Sequence, residues 1–173
     1  MNCSLRQSPM PAVRHDPLFR CLATLGDDDC AGELIGHGVC LAPAASATRV
    51  FDWVRDLSNL AVWWPGVRGV QALPPGVHGV GDMGLLATDH GPGWFRVLAF
   101  RPRRRIVLAL HAPGRLQMLD LRIADESPCR LHLRVEAPRR PGPWRGLWQA
   151  LHLRRQCARA ALALELQLRQ LAA

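Results

Sequence analysis

Polar and apolar residues alternate most regularly between residues 119 and 136. Residues 119–123 read LDLRI and residues 130–136 read RLHLRVE, so that every second side chain is apolar. A period of two residues is typical of a strand with one packed face and one solvated face. The pattern therefore predicts two strands, over 116–124 and 130–137.

Shorter apolar runs, separated by proline and glycine, indicate more strands upstream. Turn signals divide them, namely PPG at 74–76, GPG at 91–93 and PG at 113–114. Because these connections are too short for helical crossovers, we expect neighbouring strands to pair antiparallel. The predicted strands of this group cover 68–73, 80–88, 94–101 and 105–112.

Elements before and after this group complete the pattern. Residues 33–41, ELIGHGVCL, alternate as a strand with His37 on its apolar side, and the flanking glycines fit a bulge or the close approach of a ligand. Apolar residues at helical spacing predict helices over 47–57 and 58–63, the second ending before Pro65. The period of 3.6 residues returns over 144–171, which makes a helix about 42 Å long.

The order of elements is one strand, two short helices, about six strands and one long helix. A sheet with one apolar face must cover it, and the C-terminal helix is the element large enough to do so. We therefore predict an α+β fold in which a curved antiparallel sheet of six or seven strands wraps this helix. Space enclosed between them is where a pocket would form. Residues 32–173 form this domain, and 1–31 are an N-terminal extension that we expect to be flexible.

Composition narrows the function classes. The 173-residue chain has 49% hydrophobic residues and a net charge of +8, in which every positive charge is an arginine. The arginines are scattered and no groove-reading motif accompanies them, so nucleic-acid binding is not expected. Phosphate-cradling loops, metal-ligand spacings and dinucleotide fingerprints are absent from the sequence, so no cofactor or metal is expected. With no transmembrane segment and no signal peptide in the pattern, we expect a cytoplasmic protein with reduced cysteines.

Two segments carry a resemblance to a known family. HGVCLAPAASATRVFDWVRDLSNLAVWWPGVRGV has a strand ending at Ala-Pro, a helix with an aromatic residue, Asp56, and a Trp-Pro segment that leads into the next strand. FRVLAFRPRRRIVLAL is a strand–Pro–Arg-Arg–strand hairpin. These features resemble the START-like, or SRPBCC, superfamily, which includes polyketide cyclase/dehydrases. The resemblance covers about residues 33–171 and departs in two or three extra residues after Pro43.

The resemblance implies a helix-grip fold with a cavity between the sheet and the C-terminal helix. The segment Trp63-Trp64-Pro65-Gly66 would lie at its mouth. Consecutive helical residues point about 100° apart, so we expect one tryptophan to pack in the core and the other to contact ligand. Candidate ligand-binding residues are Trp63, Trp64, Met83, Trp94, His111, Met118, Leu121, Cys157 and Ala161, with Gln117 as a polar alternative to Met118.

Three polar residues are candidates for catalysis. His37 could exchange a proton with a bound ketone, or simply hydrogen-bond to a neighbouring strand. If the even positions of the strand over 80–88 face inward, Asp82 is a buried carboxylate. If they face outward, Met83 and Leu85 line the cavity instead. Arg96 could fix a carboxylate or enolate if it points inward, and solvates the back of the sheet if it does not.

Three functions remain open at this point. The first is the binding of a hydrophobic small molecule that is polyketide-like, aromatic or lipidic. The second is an enzyme of the cyclase/dehydrase kind that assists aldol closure or water loss in the same cavity. The third is a protein that uses its basic surface on nucleic acid or an anionic membrane. The sequence does not indicate an oligomeric state.

Overall fold

The structure is a computed structural model that describes residues 34–42, 46–72, 79–126, 129–137 and 143–170. All of them belong to one compact unit, Gly32–Ala173. The extension predicted over residues 1–31 lies outside the described residues.

The described residues form seven strands, two short helices and one long helix. A 3₁₀ turn, Leu57–Asn59, lies between the two short helices. The bounds in chain order are β1 Leu34–Ala42, α1 Ala47–Arg55, α2 Leu60–Trp63, β2 Val67–Ala72, β3 Met83–Thr88, β4 Gly91–Arg101, β5 Arg105–Ala112, β6 Arg115–Ala124, β7 Cys129–Glu136 and α3 Pro143–Gln170.

The seven strands make one antiparallel sheet in the order β1-β7-β6-β5-β4-β3-β2. Strands β2 to β7 follow each other as the predicted meander, and β1 pairs with the last of them. The α+β helix-grip prediction is therefore confirmed. The sheet edges within the described part of the chain are β1 and β2.

Register separates the two faces of the sheet. Phe95, Leu110 and Gln117 pair across β4, β5 and β6, and Leu108, Leu119 and Val135 pair across β5, β6 and β7. The apolar members of these rows are buried in the same core as residues of the three helices. This is the helix-covered face. The largest helical contributions to it are Phe51, Leu57, Leu60, Trp63, Trp64, Leu153, Leu164 and Leu168.

Local capping explains where the short helices begin. The Ser46 hydroxyl accepts from the backbone N–H of Arg49 at 3.3 Å, which satisfies one of the free donors at the start of α1. The Asp56 carboxylate accepts from the backbone N–H and the hydroxyl of Ser58, at 3.1 and 2.7 Å, and so caps the 3₁₀ turn. Asp56, noted above in the family-like segment, therefore has a structural role here.

Helix α3 packs mainly on β1 and also touches α2 and β7. Two glycines of β1 permit the close approach. A Cβ added at Gly36 would lie 3.1 Å from the Cβ of Cys157, and one added at Gly38 would lie 2.9 Å from the Cβ of Ala161. The space beside these glycines is therefore filled by α3. The predicted bulge also appears, as a register shift between Leu34 and Gly36.

The opposite face of the sheet is less solvated than the alternation predicts. Asp120 is only 5% exposed, although its parity is the polar one. Arg105 donates to it through Nε and Nη2 at 2.9 and 3.1 Å, and Arg122 Nε donates at 2.9 Å. A buried carboxylate is tolerated here because two guanidinium groups satisfy it. The expectation of a uniformly wet face is corrected on this point.

Candidate ligand-binding site

The Trp63-Trp64 pair ends α2 and begins the turn into β2. The backbone N–H of Trp64 donates to Leu60 O at 2.8 Å, and that of Val67 donates to Trp64 O at 3.2 Å. The two indole rings meet edge to face with centroids 5.8 Å apart, and both side chains are buried. Trp63 packs in the core, while Trp64 lines a pocket.

This pocket lies where the turn after α2, the sheet and α3 meet. Its apolar walls come from Trp64, Val67, Leu86 and Leu110, and its cavity volume is about 30 Å³. That volume holds a water molecule, whereas pockets for drug-sized ligands measure roughly 300–1,000 Å³. The remaining lining residues are Pro65, Gly66, Thr88, His90, His111, Ala112, Arg115, Gln117 and Gln156.

A chain of hydrogen bonds between buried amides crosses the pocket. Gln117 Nε2 on β6 donates to Gln156 Oε1 on α3 at 3.1 Å, and Gln156 Nε2 donates to the backbone carbonyl of Pro65 at 2.8 Å. Both glutamines are buried. These hydrogen bonds join the sheet, α3 and the turn after α2. They also place polar groups between the apolar walls of the pocket.

Basic side chains surround the rim of the pocket. Arg115 Nη1 lies 3.5 Å from His152 Nε2, and His90 lines the pocket from the β3–β4 turn. The pKa of His152 is lowered from 6.5 by burial, and further by the charges of Arg115, His90 and Arg159. Positive charges disfavour protonation of His152, so their contribution to the lowered pKa indicates that the rim is electropositive. Such a rim favours a ligand with an anionic group over one with a cationic group.

One acidic residue also lies near the rim. The Asp89 carboxylate pairs with Arg68, and its backbone N–H donates to Gly66 O at 2.9 Å. This backbone bond attaches the β3–β4 turn to the Trp-Pro-Gly turn, which brings His90 to the pocket. Thr88 shapes the same turn, since its hydroxyl donates to Gly91 O at 2.6 Å.

Of the predicted ligand-binding residues, Trp64 and His111 line the pocket, and so does Gln117. The His111 ring stacks on the Trp94 ring with centroids 5.1 Å apart and planes 15° apart. Met83 and Met118 have the parity of the opposite face, because Met83 pairs with Arg96, Arg96 with Ala109, and Ala109 with Met118. Trp94 and His111 pair with each other on that same face, so His111 lies at the edge of the pocket with its ring against Trp94. The ligand roles of Met83, Trp94 and Met118 stay predictions.

The other predicted ligand-binding residues pack elsewhere. Trp63, Leu121 and Cys157 are buried in the core, and Ala161 packs against it beside Gly38. Burial also raises the pKa of the Cys157 thiol to about 11. A thiol with that pKa is protonated at neutral pH, so Cys157 lacks the thiolate that nucleophilic catalysis needs.

The three candidate catalytic residues do not form one cluster. His37 lies on β1 in register with Arg134, and three strands of the sheet separate β1 from the strand of Arg96. Asp82 precedes β3, where its carboxylate accepts from the backbone N–H of Gly79 at 2.9 Å. Its carbonyl accepts from Val97 N at 2.8 Å, next to Arg96. Their catalytic roles stay predictions.

The even parity of β3 faces the helices, because Leu86 is buried in the core and Leu85 is exposed. The sequence left open whether the even or the odd positions of this strand face inward. The burial of Leu86 shows that the even positions do, which is the set that includes Asp82. The carboxylate nevertheless does not enter the core, because Asp82 lies before the strand and closes a turn.

Several pocket residues had no distinctive signal in the sequence. Gln156 lies in a helix that also carries many arginines, and nothing in its spacing separates it from the solvated face of that helix. Arg115 and His90 lie at turns, where polar residues are expected in any case. Only a long-range register places these residues beside Trp64.

The described residues carry neither a metal-binding cluster nor a membrane-spanning helix. No group of three or more His, Cys, Asp or Glu side chains among them could hold a metal ion. Within the same part of the chain, no helix combines the length and the apolar character needed to cross a bilayer.

Comparisons with known proteins agree on the fold. No family model matches the chain, and no curated protein matches it. Among solved structures, a START superfamily protein from Mycobacterium smegmatis is 20% identical with a TM-score of 0.58, covering 78% of this chain and 97% of that one. The Zhui aromatase/cyclase from Streptomyces sp. R1128 is 17% identical with a TM-score of 0.58, covering 78% and 92%.

A third structure, TTHA0849 from Thermus thermophilus, is 12% identical with a TM-score of 0.61 and covers 80% of this chain and 99% of that one. At these identities the likeness shows the fold alone. The chain therefore has the START-like, helix-grip fold that its sequence resembles.

Proposed function

We propose that this protein binds a hydrophobic small molecule between the sheet and α3, with a polar or anionic group of the ligand at the basic rim. The observation that carries the proposal is the pocket at Trp64, in which apolar walls surround one buried amide pair, Gln117 and Gln156. Binding sites for small molecules typically combine mostly apolar walls with a few placed polar groups. The START-like fold supports the same function by analogy.

The rim favours a ligand that carries negative charge. A carboxylate or enolate would find the Arg115 guanidinium and the imidazoles of His90 and His152 within the same small area. Asp89 is engaged with Arg68, which reduces its repulsion of an anion.

The present volume of about 30 Å³ requires the pocket to open when a ligand enters. Trp64 is the residue best placed to open it, because it follows α2 directly and lies two residues before Gly66, whose φ is +91°. Rotation of its indole away from Leu86 and Leu110 would join the pocket to the space that the ring now fills. This makes binding dependent on a conformational change rather than on a preformed chamber.

Native mass spectrometry of the purified full chain tests the proposal, followed by titration with 2-naphthoic acid and with uncharged 2-naphthol. We expect one equivalent to bind, with the acid bound more tightly than the alcohol. Ala112→Phe, which fills the pocket from its half-buried wall, should abolish binding. The same change at Ala158, an exposed alanine of α3, is the matched control and should leave binding unchanged.

A second candidate is a cyclase/dehydrase-type enzyme acting in this pocket. The observation that favours it is that a histidine, His90, lines the same pocket as the amide pair. An imidazole can exchange protons near neutral pH, as aldol closure and water loss require. The test is a polyketone thioester incubated with the native chain and with His90→Ala; loss of turnover with retained 2-naphthoate binding would favour the enzyme.

A further inference from the structure

Helix α3 carries apolar side chains on its solvent side as well as on its buried side. Trp144 and Trp148 are 74% and 69% exposed, and Leu147 and Leu151 are also exposed. The spacings of three and four residues place all four on one face of the helix. Leu162 and Leu166 lie on the same side nearer the C-terminal end and are exposed too, after an interval that carries Arg155 and Arg159. We call these six residues the outer stripe.

The outer stripe is distinct from the face that packs on the sheet. The packed face consists of Leu153, Cys157, Ala160, Leu164 and Leu168, which are buried and lie on the other side of the helix. Single exposed apolar residues are common, but a group of four within two helical turns that includes two tryptophans marks a surface that another phase or molecule covers.

The charges beside the stripe indicate what covers it. Arg154, Arg155 and Arg159 are exposed along the same stretch of α3. The acidic residue of this helix, Glu165, is already paired with Arg169 at 2.6 Å. The net charge of the chain is +8. Apolar side chains with arginines between and beside them are complementary to a surface that is apolar inside and negatively charged outside.

We propose that the outer stripe of α3 binds the surface of an anionic membrane. Tryptophan suits the boundary between headgroups and acyl chains, because its ring is apolar and its N–H can still reach water or headgroups. Arginines at the edges of the stripe then lie at the level of the anionic headgroups. The helix would lie along the membrane surface while its other face remains packed on the sheet.

The charges favour a membrane over a second copy of the chain. A symmetric dimer through the stripe would bring the arginines of both copies together, and like charges across an interface are unfavourable. The position of the stripe also suits the pocket, since His152 and Gln156 lie on the same helix. The membrane proposal does not depend on ligand binding, because its test uses vesicles and no ligand.

The test is cosedimentation of the full chain with phosphatidylcholine vesicles, with and without phosphatidylglycerol. We expect strong binding only to the anionic vesicles, weakened by salt. Trp144→Ala with Trp148→Ala should weaken it by at least about tenfold, because the apolar area that enters the interface is lost. The matched control, Val62→Ala with Leu85→Ala, removes two exposed apolar side chains outside α3 and should bind as the native chain does.

A second variant tests the electrostatic part. Arg154→Gln, Arg155→Gln and Arg159→Gln together should weaken binding by about fivefold per arginine and flatten its salt dependence. Equal binding of the native chain to both vesicle types, or full binding by the double tryptophan variant, would overturn the proposal. So would a dimer that the tryptophan variant dissociates, with no vesicle binding. Circular dichroism melting confirms that each variant is folded.

Discussion

At the scale of single residues, the buried amide chain distinguishes this site. Gln156 serves the Gln117 amide and the Pro65 carbonyl at once, so its loss leaves both polar groups buried without their partner. Gln156→Leu should therefore lower the free energy of unfolding by about 2 kcal/mol, measured by urea denaturation. Gln170→Leu, at an exposed position of the same helix, is the control and should change it by less than about 0.5 kcal/mol.

The matched double variant separates hydrogen bonding from packing. Gln117→Leu combined with Gln156→Leu removes both members of the pair, so that neither amide is left unsatisfied. The double variant should lose less stability than the sum of the two single variants. Strict additivity would contradict the view that the two amides depend on each other.

The imidazole of His152 reports the electropositive rim directly. Because its folded-state pKa is below 6.5, the unfolded chain takes up the proton first as the pH falls. Above pH 6.5 the ring is neutral in both states and the free energy of unfolding is unaffected by it. As the pH falls from 6.5 through the folded-state pKa, the free energy of unfolding decreases. An NMR titration should give a pKa under 6.5, and Arg115→Gln should raise it. An unchanged pKa in that variant would exclude Arg115 as a cause.

Sequence alone identified few residues of this site. Trp64, His111 and Gln117 were recognisable, because an aromatic pair before a turn and polar residues on apolar strands are unusual. Gln156 was not, since one polar residue on a long helix acquires meaning only from what faces it across the fold. His37 was a candidate because it lies between two glycines, but those glycines accommodate Cys157 and Ala161 of α3.

At the scale of elements, the contact between β1 and α3 depends on glycine. Gly38→Ala would place a methyl group 2.9 Å from the Cβ of Ala161, so strand and helix must separate. We expect a loss of about 1–3 kcal/mol in unfolding free energy. Ala161→Gly should recover part of it, although glycine in a helix itself costs about 1 kcal/mol.

The control for this experiment is Gly79→Ala. A Cβ at Gly79 would meet no atom within 4 Å, so stability should hardly change. A Gly38→Ala protein as stable as the native chain, or no coupling with Ala161→Gly, would show that the two elements are not in tight contact.

Two carboxylates test the difference between a buried and an exposed ion pair. Asp120 is buried between Arg105 and Arg122, whereas Arg68, the partner of Asp89, is largely exposed. Asp120→Asn should therefore cost about 2 kcal/mol in thermal or urea unfolding, and Asp89→Asn less than about 1 kcal/mol. Similar losses for both would indicate that solvent reaches Asp120 as well.

The elements themselves were largely predictable because their signals are local. Strict alternation over β6 and β7 placed both strands, and Pro65 ended α2 as expected. Helix α3 was harder, because leucine and tryptophan occur on two sides of it. Leu147 has the three- or four-residue spacing of a helical apolar face but is exposed in the structure, since the row that packs on the sheet begins at Leu153.

At the scale of the whole molecule, the order of elements determined the architecture. One long helix after an antiparallel meander leaves few ways to cover the apolar face of a sheet, so the helix-grip fold followed from pattern and resemblance. The size of the pocket did not follow. The pocket volume depends on the distance between α3 and the sheet at Gly36, Gly38 and the amide pair. Differences of tenths of an ångström in this distance change the volume.

The central claim is that a ligand enters between the sheet and α3 at Trp64. An NMR titration of the full chain with 2-naphthoic acid tests it most directly, observing the side-chain amides of Gln117 and Gln156 and the indole N–H of Trp64. We expect saturable shifts of these three signals, which Ala112→Phe abolishes. Shifts confined to exposed residues, with these three signals unchanged at saturating ligand, would contradict it.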